Sequence, residues 1–140
     1  MANALFSIKP QFVQKIFSSE KQYEFRKKAC RNSISKIYVY MTSPACHIVG
    51  EVVVTGLLAD TPTKLWETVS EYAGISKQEF DNYFSKCGIA YAYQLESPIL
   101  YPMPIDLSSI GFIHPPQSFC YLNENQCKAL KEAAFKVRSR

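Results

Sequence analysis

The sequence is poor in the residues that most catalytic and metal-binding motifs require. It has only two histidines, His47 and His114, and its five cysteines include no C-x-x-C pair. It also lacks a phosphate-binding P-loop and the glycine pattern of a dinucleotide-binding turn. Because metal sites need several such ligands close together, we predict a protein with no metal ion and no cofactor.

Long apolar runs are also absent. No stretch approaches the roughly 20 residues of a membrane-spanning helix, and the opening MANALFSIKP lacks the basic and apolar regions of a secretory signal. An odd number of cysteines favours reduced thiols. We therefore expect a cytoplasmic protein with no membrane partner. With 140 residues, 47% of them hydrophobic, the chain is predicted to form a single domain over residues 1–140.

Positive charge is concentrated at the two ends of the chain. Residues 1–36 carry eight Lys or Arg against two Glu, and residues 123–140 carry five against two. Residues 37–122 are acidic, with three Lys against eight Asp or Glu. If the two ends meet in space, they form a positive face of the kind that binds phosphate-bearing partners. The alternative is a solvated surface with no partner.

Periodicity predicts short strands on either side of a helical region. Strands are expected at residues 4–8, 23–26, 36–40, 48–58, 88–95, 99–101 and 119–122. Helices are expected to begin at Pro10 and after Thr61, Ser76 and Asn123, and Phe80, Tyr83 and Phe84 are expected to face inward on the helix after Ser76. Pro102 and Pro104 are expected to break the strand pattern. We therefore predict an α+β fold, a small mixed or antiparallel β-barrel with flanking helices and a helical insertion.

The stretch KQYEFR, residues 21–26, is the first candidate site. Glu24 and Arg26 share one face of the predicted strand, while Tyr23 and Phe25 face the core. Lys21 lies at the mouth of the strand, where the turn can direct it to the same side. Arg donates in a fork and Glu accepts, so this group could hold a polar planar ligand. The alternative is a surface ion pair worth less than about 1 kcal/mol.

Two proline-containing turns add polar candidates. Thr42 and Ser43 precede Pro44, so their hydroxyl and N–H groups could bind an anion. Gln117 and Ser118 follow two prolines that stiffen the chain and fix where these side chains point. A plain turn and a rigid connector are the alternatives.

The ordered motifs resemble those of ASCH domains, which belong to the PUA-like superfamily. The opening LFSIKPQFVQKIFSSEKQYEFRKK resembles the family's S-I-K-P and K-x-x-E-x-R blocks, although Ser19 stands where the family often has glycine. The later blocks KIYVYMTSP, IVGEVVV and PPQSFCYL follow in the same order. The resemblance therefore extends from about Leu5 to Leu122.

This resemblance implies a β-barrel with a polar cleft. The matching residues that would line it are Lys9, Lys21, Glu24, Arg26, Thr42, Ser43, Gln117 and Ser118. Because related proteins bind RNA or modified nucleobases, the implied function is an RNA- or modified-nucleotide-binding module in RNA metabolism or transcription. DNA is a further candidate partner, and the oligomeric state is open.

An enzyme using the same cleft is the main alternative function. A ribonuclease would use Lys21 and Glu24 as acid–base partners. An amidohydrolase would resemble the branch that removes the acetyl group from N4-acetylcytidine with a Lys, a Thr three residues later and a helical Glu. Here Glu24 occupies the Thr position, and Glu71 is the candidate helical Glu. A third alternative is an interaction module with an aromatic surface around Tyr91, Tyr93 and Tyr101.

Overall fold

The computed structural model describes residues 1–135 as a mixed α+β fold with six strands and four helices. The strands are β1 (Ala2–Ile8), β2 (Tyr23–Arg26), β3 (Ile34–Met41), β4 (His47–Asp60), β5 (Ala90–Ile105) and β6 (Phe119–Leu122). The helices are α1 (Pro10–Phe17), α2 (Pro62–Val69), α3 (Lys77–Tyr83) and α4 (Glu124–Phe135). The predicted α+β class is confirmed. Within residues 1–135, no helix has the length and apolar character to span a bilayer.

The strands form one sheet in the order β2-β5-β4-β3-β1-β6. The β1–β3 pair is parallel, and the other four pairs are antiparallel. Because β2 and β6 pair on one side only, the sheet is open and the predicted β-barrel is not confirmed. The β1–β6 pairing brings the first and last strands together, but the basic residues Lys136, Arg138 and Arg140 lie outside the described residues.

Side chains join the two edges of this open sheet. Arg26, at the end of β2, donates from Nη1 to Oγ of Ser118, the residue before β6, at 2.7 Å. The N–H of Asn32, in the loop after β2, donates to the Tyr121 hydroxyl of β6 at 2.9 Å. The sheet is therefore curled until its edge strands lie within side-chain reach of each other.

Strand β5 is longer than the sequence predicts. It continues from Ala90 to Ile105 through Pro98, Pro102 and Pro104, so the prediction that these last two prolines break the strand is wrong. The physical reason is that the second half of β5, which contains the three prolines, lies at an edge of the sheet. Since β2 pairs only with residues 91–94 of β5, the later prolines need no N–H on that side.

The helices begin where the sequence predicts, and their caps are visible. Ser76 accepts from the Glu79 N–H while the Glu79 carboxylate accepts from the Ser76 N–H, which is a complete capping box. Helix α2 ends at Val69, and residues 70–72 tighten into a 3₁₀ turn. Gly74 follows with a left-handed φ of 69°, which glycine adopts without strain.

The core beneath α2 and α3 is largely aromatic. Phe80 is fully buried, with its ring centroid 5.2 Å from that of Phe25 on β2 and 4.8 Å from that of Phe84. Trp66 also packs against Phe80, at 4.9 Å, so Trp66 belongs to this core. The packing fixes the helical insertion against β2, the strand that carries Glu24 and Arg26.

Replacing Phe80 with alanine is expected to lower the free energy of unfolding by about 3–5 kcal/mol, because it removes a buried ring and leaves a cavity. Ile89→Ala is the matched control, since Ile89 is 52% exposed, and it should change the stability by less than about 1 kcal/mol. Equilibrium urea unfolding measures both values. Equal losses in the two variants would contradict this account of the core.

Candidate functional site

A cavity of about 440 Å³ lies between the start of α1, strand β2 and helix α3. We call it the Lys21 cleft. Four of the eight predicted site residues line it, namely Lys9, Lys21, Glu24 and Arg26. The cavity is large enough for a small ligand such as a nucleobase with part of its sugar.

Lys21 is buried, with only 3% of its surface exposed. Its Nζ donates to the Ala73 carbonyl at 3.1 Å and lies 4.3 Å from the ring centroid of Phe25. Burial lowers the pKa of Lys21 to about 8, and the negative charge of Glu24 offsets only part of this effect. An appreciable fraction of the amine is therefore neutral near physiological pH.

Two unusual backbone positions place Lys21 there. Ser19 has a φ of 66°, in the left-handed region, at the position where the family often has glycine. A side chain at Gly74 would collide with Cβ of Lys21, so only glycine fits on that side. The turn before β2 and the turn after the 3₁₀ segment thus meet around the buried lysine.

Glu24 is held by its neighbour on the same strand face. The Nε and Nη2 atoms of Arg26 lie 2.9 and 2.8 Å from Oε2 of Glu24. Glu24 is only 6% exposed, and its other oxygen, Oε1, accepts no hydrogen bond from residues 1–135. One carboxylate oxygen is therefore fixed by Arg26, and the other is available to a ligand.

The remaining donors of Arg26 are also engaged. Nη1 donates to Oγ of Ser118 at 2.7 Å and to its carbonyl at 3.4 Å, and Nη2 donates to the Ser7 carbonyl at 3.1 Å. The guanidinium also lies 4.6 Å from the Phe6 ring. All three guanidinium nitrogens thus donate to protein acceptors, so Arg26 orients Glu24, and its direct contact with a ligand stays a prediction.

The other predicted residues lie outside the cavity. The Thr42 N–H donates to the Ile8 carbonyl at 3.0 Å, so this turn lies beside Lys9 at the cleft rim. Ser43 and Gln117 are exposed, and Ser118 reaches the site only through Arg26. Their contact with a ligand stays a prediction.

Helix α3 supplies site residues that the sequence argument missed. Glu79, Asn82 and Tyr83 line the cleft. Tyr83 was predicted to face inward with Phe80 and Phe84, but it is 39% exposed and has the Lys27 ammonium 4.9 Å from its ring. Their spacing of three or four residues places them on one helix face, which is the signal that could have found them.

Two other predicted features change in the structure. Glu71 lies exposed in the 3₁₀ turn and does not line the cleft. Tyr93 and Tyr101 are 2% and 5% exposed, so the proposed aromatic surface around them is not present. Within the part of the chain that the structure describes, no cluster of three His, Cys, Asp or Glu is arranged to hold a metal ion.

The chain resembles known proteins in sequence. No family model matches the chain. It is 28% identical over 134 residues to an ASCH domain-containing ribonuclease of Zymomonas mobilis, which covers 91% of this chain and 88% of that protein. It is also 30% identical over 119 residues to large ribosomal subunit protein uL22 of Ureaplasma parvum. The chain spans only 38% of the length of that ribosomal protein.

Solved structures resemble the fold over almost its whole length. The crystal structure of ASCH from Zymomonas mobilis matches with a TM-score of 0.85 at 26% identity, covering 94% of each chain. The N-terminal domain of McrB from Staphylothermus marinus matches with a TM-score of 0.60 at 13% identity over 93% of each chain. The second likeness concerns the fold alone.

The lowered pKa of Lys21 predicts how stability changes with pH. Between about pH 8 and 10.5 the Lys21 amine binds more protons in the unfolded chain than in the folded one, so the contribution of Lys21 to the free energy of unfolding rises with pH. Since each pKa unit corresponds to about 1.4 kcal/mol, the gain is about 3 kcal/mol. This gain should be absent in Lys21→Met. We therefore expect the free energy of unfolding of the wild type, minus that of the variant, to increase across this range in urea unfolding. In an NMR titration, the ε carbon of Lys21 should show a midpoint near pH 8. A midpoint near 10.5 would contradict the burial of the charge.

Proposed function

Because the chain is an ASCH-type domain with a PUA-like fold, we propose that it binds a nucleotide of RNA in the Lys21 cleft. The ribonuclease name of the Zymomonas mobilis relative, which aligns with 91% of the chain, supports RNA as the ligand class. The single observation that carries the proposal is a donor and an acceptor, both nearly buried and both partly unused, on Lys21 and Glu24.

The two groups suit the edge of a nucleobase. Lys21 Nζ has three N–H donors and gives one to Ala73, which leaves two for a ring nitrogen or carbonyl oxygen. Glu24 Oε1 can accept from an exocyclic amine, as carboxylates do with cytosine. Cytosine and adenine, unmodified or modified, present such an amine beside an acceptor. Arg26 supports this recognition by fixing the carboxylate plane.

Aromatic and basic groups around the cleft provide the remaining contacts. Tyr83 exposes 39% of its surface at the wall of the cleft, so its ring could stack on a base. Lys9 is exposed at the rim and has no ion-pair partner within residues 1–135, so it could bind a phosphate.

Lys21→Met should weaken the binding of a short single-stranded RNA about tenfold to a hundredfold, because it removes a charge-assisted hydrogen bond worth about 1.5–3 kcal/mol. Lys9→Glu should also weaken binding and make its salt dependence shallower. Lys131→Glu, an exposed change on α4, is the control and should have little effect. Fluorescence anisotropy at two salt concentrations measures all four proteins. Unchanged affinity in Lys21→Met would overturn the proposal.

Cleavage of the bound RNA is a second candidate function, and the pKa of Lys21 favours it. A pKa of about 8 makes the neutral amine available as a general base. Lys21 would accept the proton of a ribose 2′-hydroxyl as its oxygen attacks phosphorus. The bond from phosphorus to the 5′ oxygen breaks, and that oxygen takes a proton from water. Glu24 as a second acid–base group stays a prediction.

Cleavage predicts a distinct set of observations. RNA fragments should end in a 2′,3′-cyclic phosphate, and the rate should rise with pH to a midpoint near 8, because only the neutral amine accepts a proton. Lys21→Met should lower the rate about 10²–10⁴-fold, and DNA of the same sequence should stay intact. Tight binding that leaves the RNA intact would assign the cleft to recognition without catalysis.

A further inference from the structure

A second cavity, of about 360 Å³, lies beside the loop that connects β2 to β3. We call it the loop pocket. The loop supplies Cys30 and Arg31 to its lining, and the sheet supplies Thr55 and Tyr93. Among the described residues 1–135, no acidic side chain lines the pocket, and residues 27–33 of the loop contain Lys27, Lys28 and Arg31 without a carboxylate.

Two tyrosines hold the loop on either side of Arg31. The Cys30 N–H donates to the Tyr93 hydroxyl at 2.7 Å, and the Asn32 N–H donates to the Tyr121 hydroxyl at 2.9 Å. Arg31 itself is exposed, and its guanidinium makes no hydrogen bond or ion pair with residues 1–135. The backbone of Arg31 is therefore fixed at both neighbours, while all five of its side-chain donors stay unused.

The sheet wall of the pocket has its own irregularity. Val54 pairs with Leu95 and Gly56 pairs with Gln94, so Thr55 is the extra residue of a β-bulge. Bulges redirect side chains and are frequent beside binding sites. Burial raises the pKa of the Cys30 thiol and of the Tyr93 hydroxyl, so both are neutral near pH 7. Arg31 is therefore the only charged side chain that residues 1–135 supply to the lining.

We propose that the loop pocket is a second subsite for the same RNA, where Arg31 binds a phosphate outside the Lys21 cleft. This inference rests on the proposed binding of RNA. A guanidinium with free donors matches the geometry of phosphate oxygens, and the absence of carboxylates leaves its charge unopposed.

The loop connects the two cavities. Lys27, at its start, lies 4.9 Å from the ring of Tyr83, which lines the Lys21 cleft. Arg31 follows four residues later, so the two Cα atoms are at most about 14 Å apart. Sites for single strands commonly extend over about 4–16 nucleotides. An RNA strand that leaves the cleft past Lys27 can therefore reach Arg31 within a few nucleotides.

RNA length separates this subsite from the cleft. Arg31→Glu should lower the affinity for a single-stranded RNA of about twelve nucleotides roughly tenfold, with a salt slope shallower by about 0.7 for one lost phosphate contact. It should leave the affinity for an RNA of about three nucleotides unchanged, because such an RNA fits in the Lys21 cleft alone. Lys131→Glu, which makes the same change of charge on α4, is the matched control.

Each outcome of this experiment decides between the two sites. If Arg31→Glu and Lys131→Glu bind the longer RNA equally well while Lys21→Met binds it weakly, the second subsite is overturned and the cleft stands. If the wild type binds neither RNA, both proposals fall. Arg31→Gln, with thermal unfolding of each variant, tests whether the loop stays folded. A weaker affinity that accompanies a lower Tm in both Arg31 variants would mean that Arg31 only supports the loop, and would also overturn the subsite.

Discussion

The site depends on the side chain of Arg26, which bonds to four different groups at once. It fixes one oxygen of Glu24, and it reaches across from edge strand β2 to the carbonyl of Ser7 on β1 and to Ser118 beside edge strand β6. Because all three of its nitrogens donate hydrogen bonds, the guanidinium both joins the edges of an open sheet and aligns the carboxylate. Such a fork has no lysine equivalent, since an ammonium cannot bond to a carboxylate and to two distant strands in one plane.

The helical insertion between β4 and β5 gives the cleft its other wall. Its aromatic core, centred on Phe80, holds α3 against Phe25, so that Tyr83 and Glu79 face the ligand space. The same insertion supplies the Ala73 carbonyl that accepts from Lys21. The burial that lowers the pKa of this lysine therefore comes partly from residues that are about 50 positions away in the chain.

Local chemistry made the strands, the helix starts and part of the site predictable. The K-x-x-E-x-R spacing placed Lys21, Glu24 and Arg26 together because a strand repeats every two residues, and the structure brings all three to one cavity. Three-dimensional curvature was not predictable. This curvature determines that the sheet stays open and that β5 continues through its prolines along a free edge. It also determines that Ser118 accepts a hydrogen bond from Arg26 while Gln117 stays exposed. The inward prediction for Tyr83 failed because seven-residue α3 lies between the core and the cleft, and its two faces have different neighbours.

The most direct measurement is the NMR signal of the Lys21 ε carbon during titration with a short single-stranded RNA. If the amine binds a base acceptor or a phosphate, the signal shifts and the pKa of Lys21 rises above 8, because the ligand favours the ammonium form. If RNA binds while the Lys21 signal and its pKa stay unchanged and only exposed lysines respond, the cleft is not the RNA site and the account is wrong.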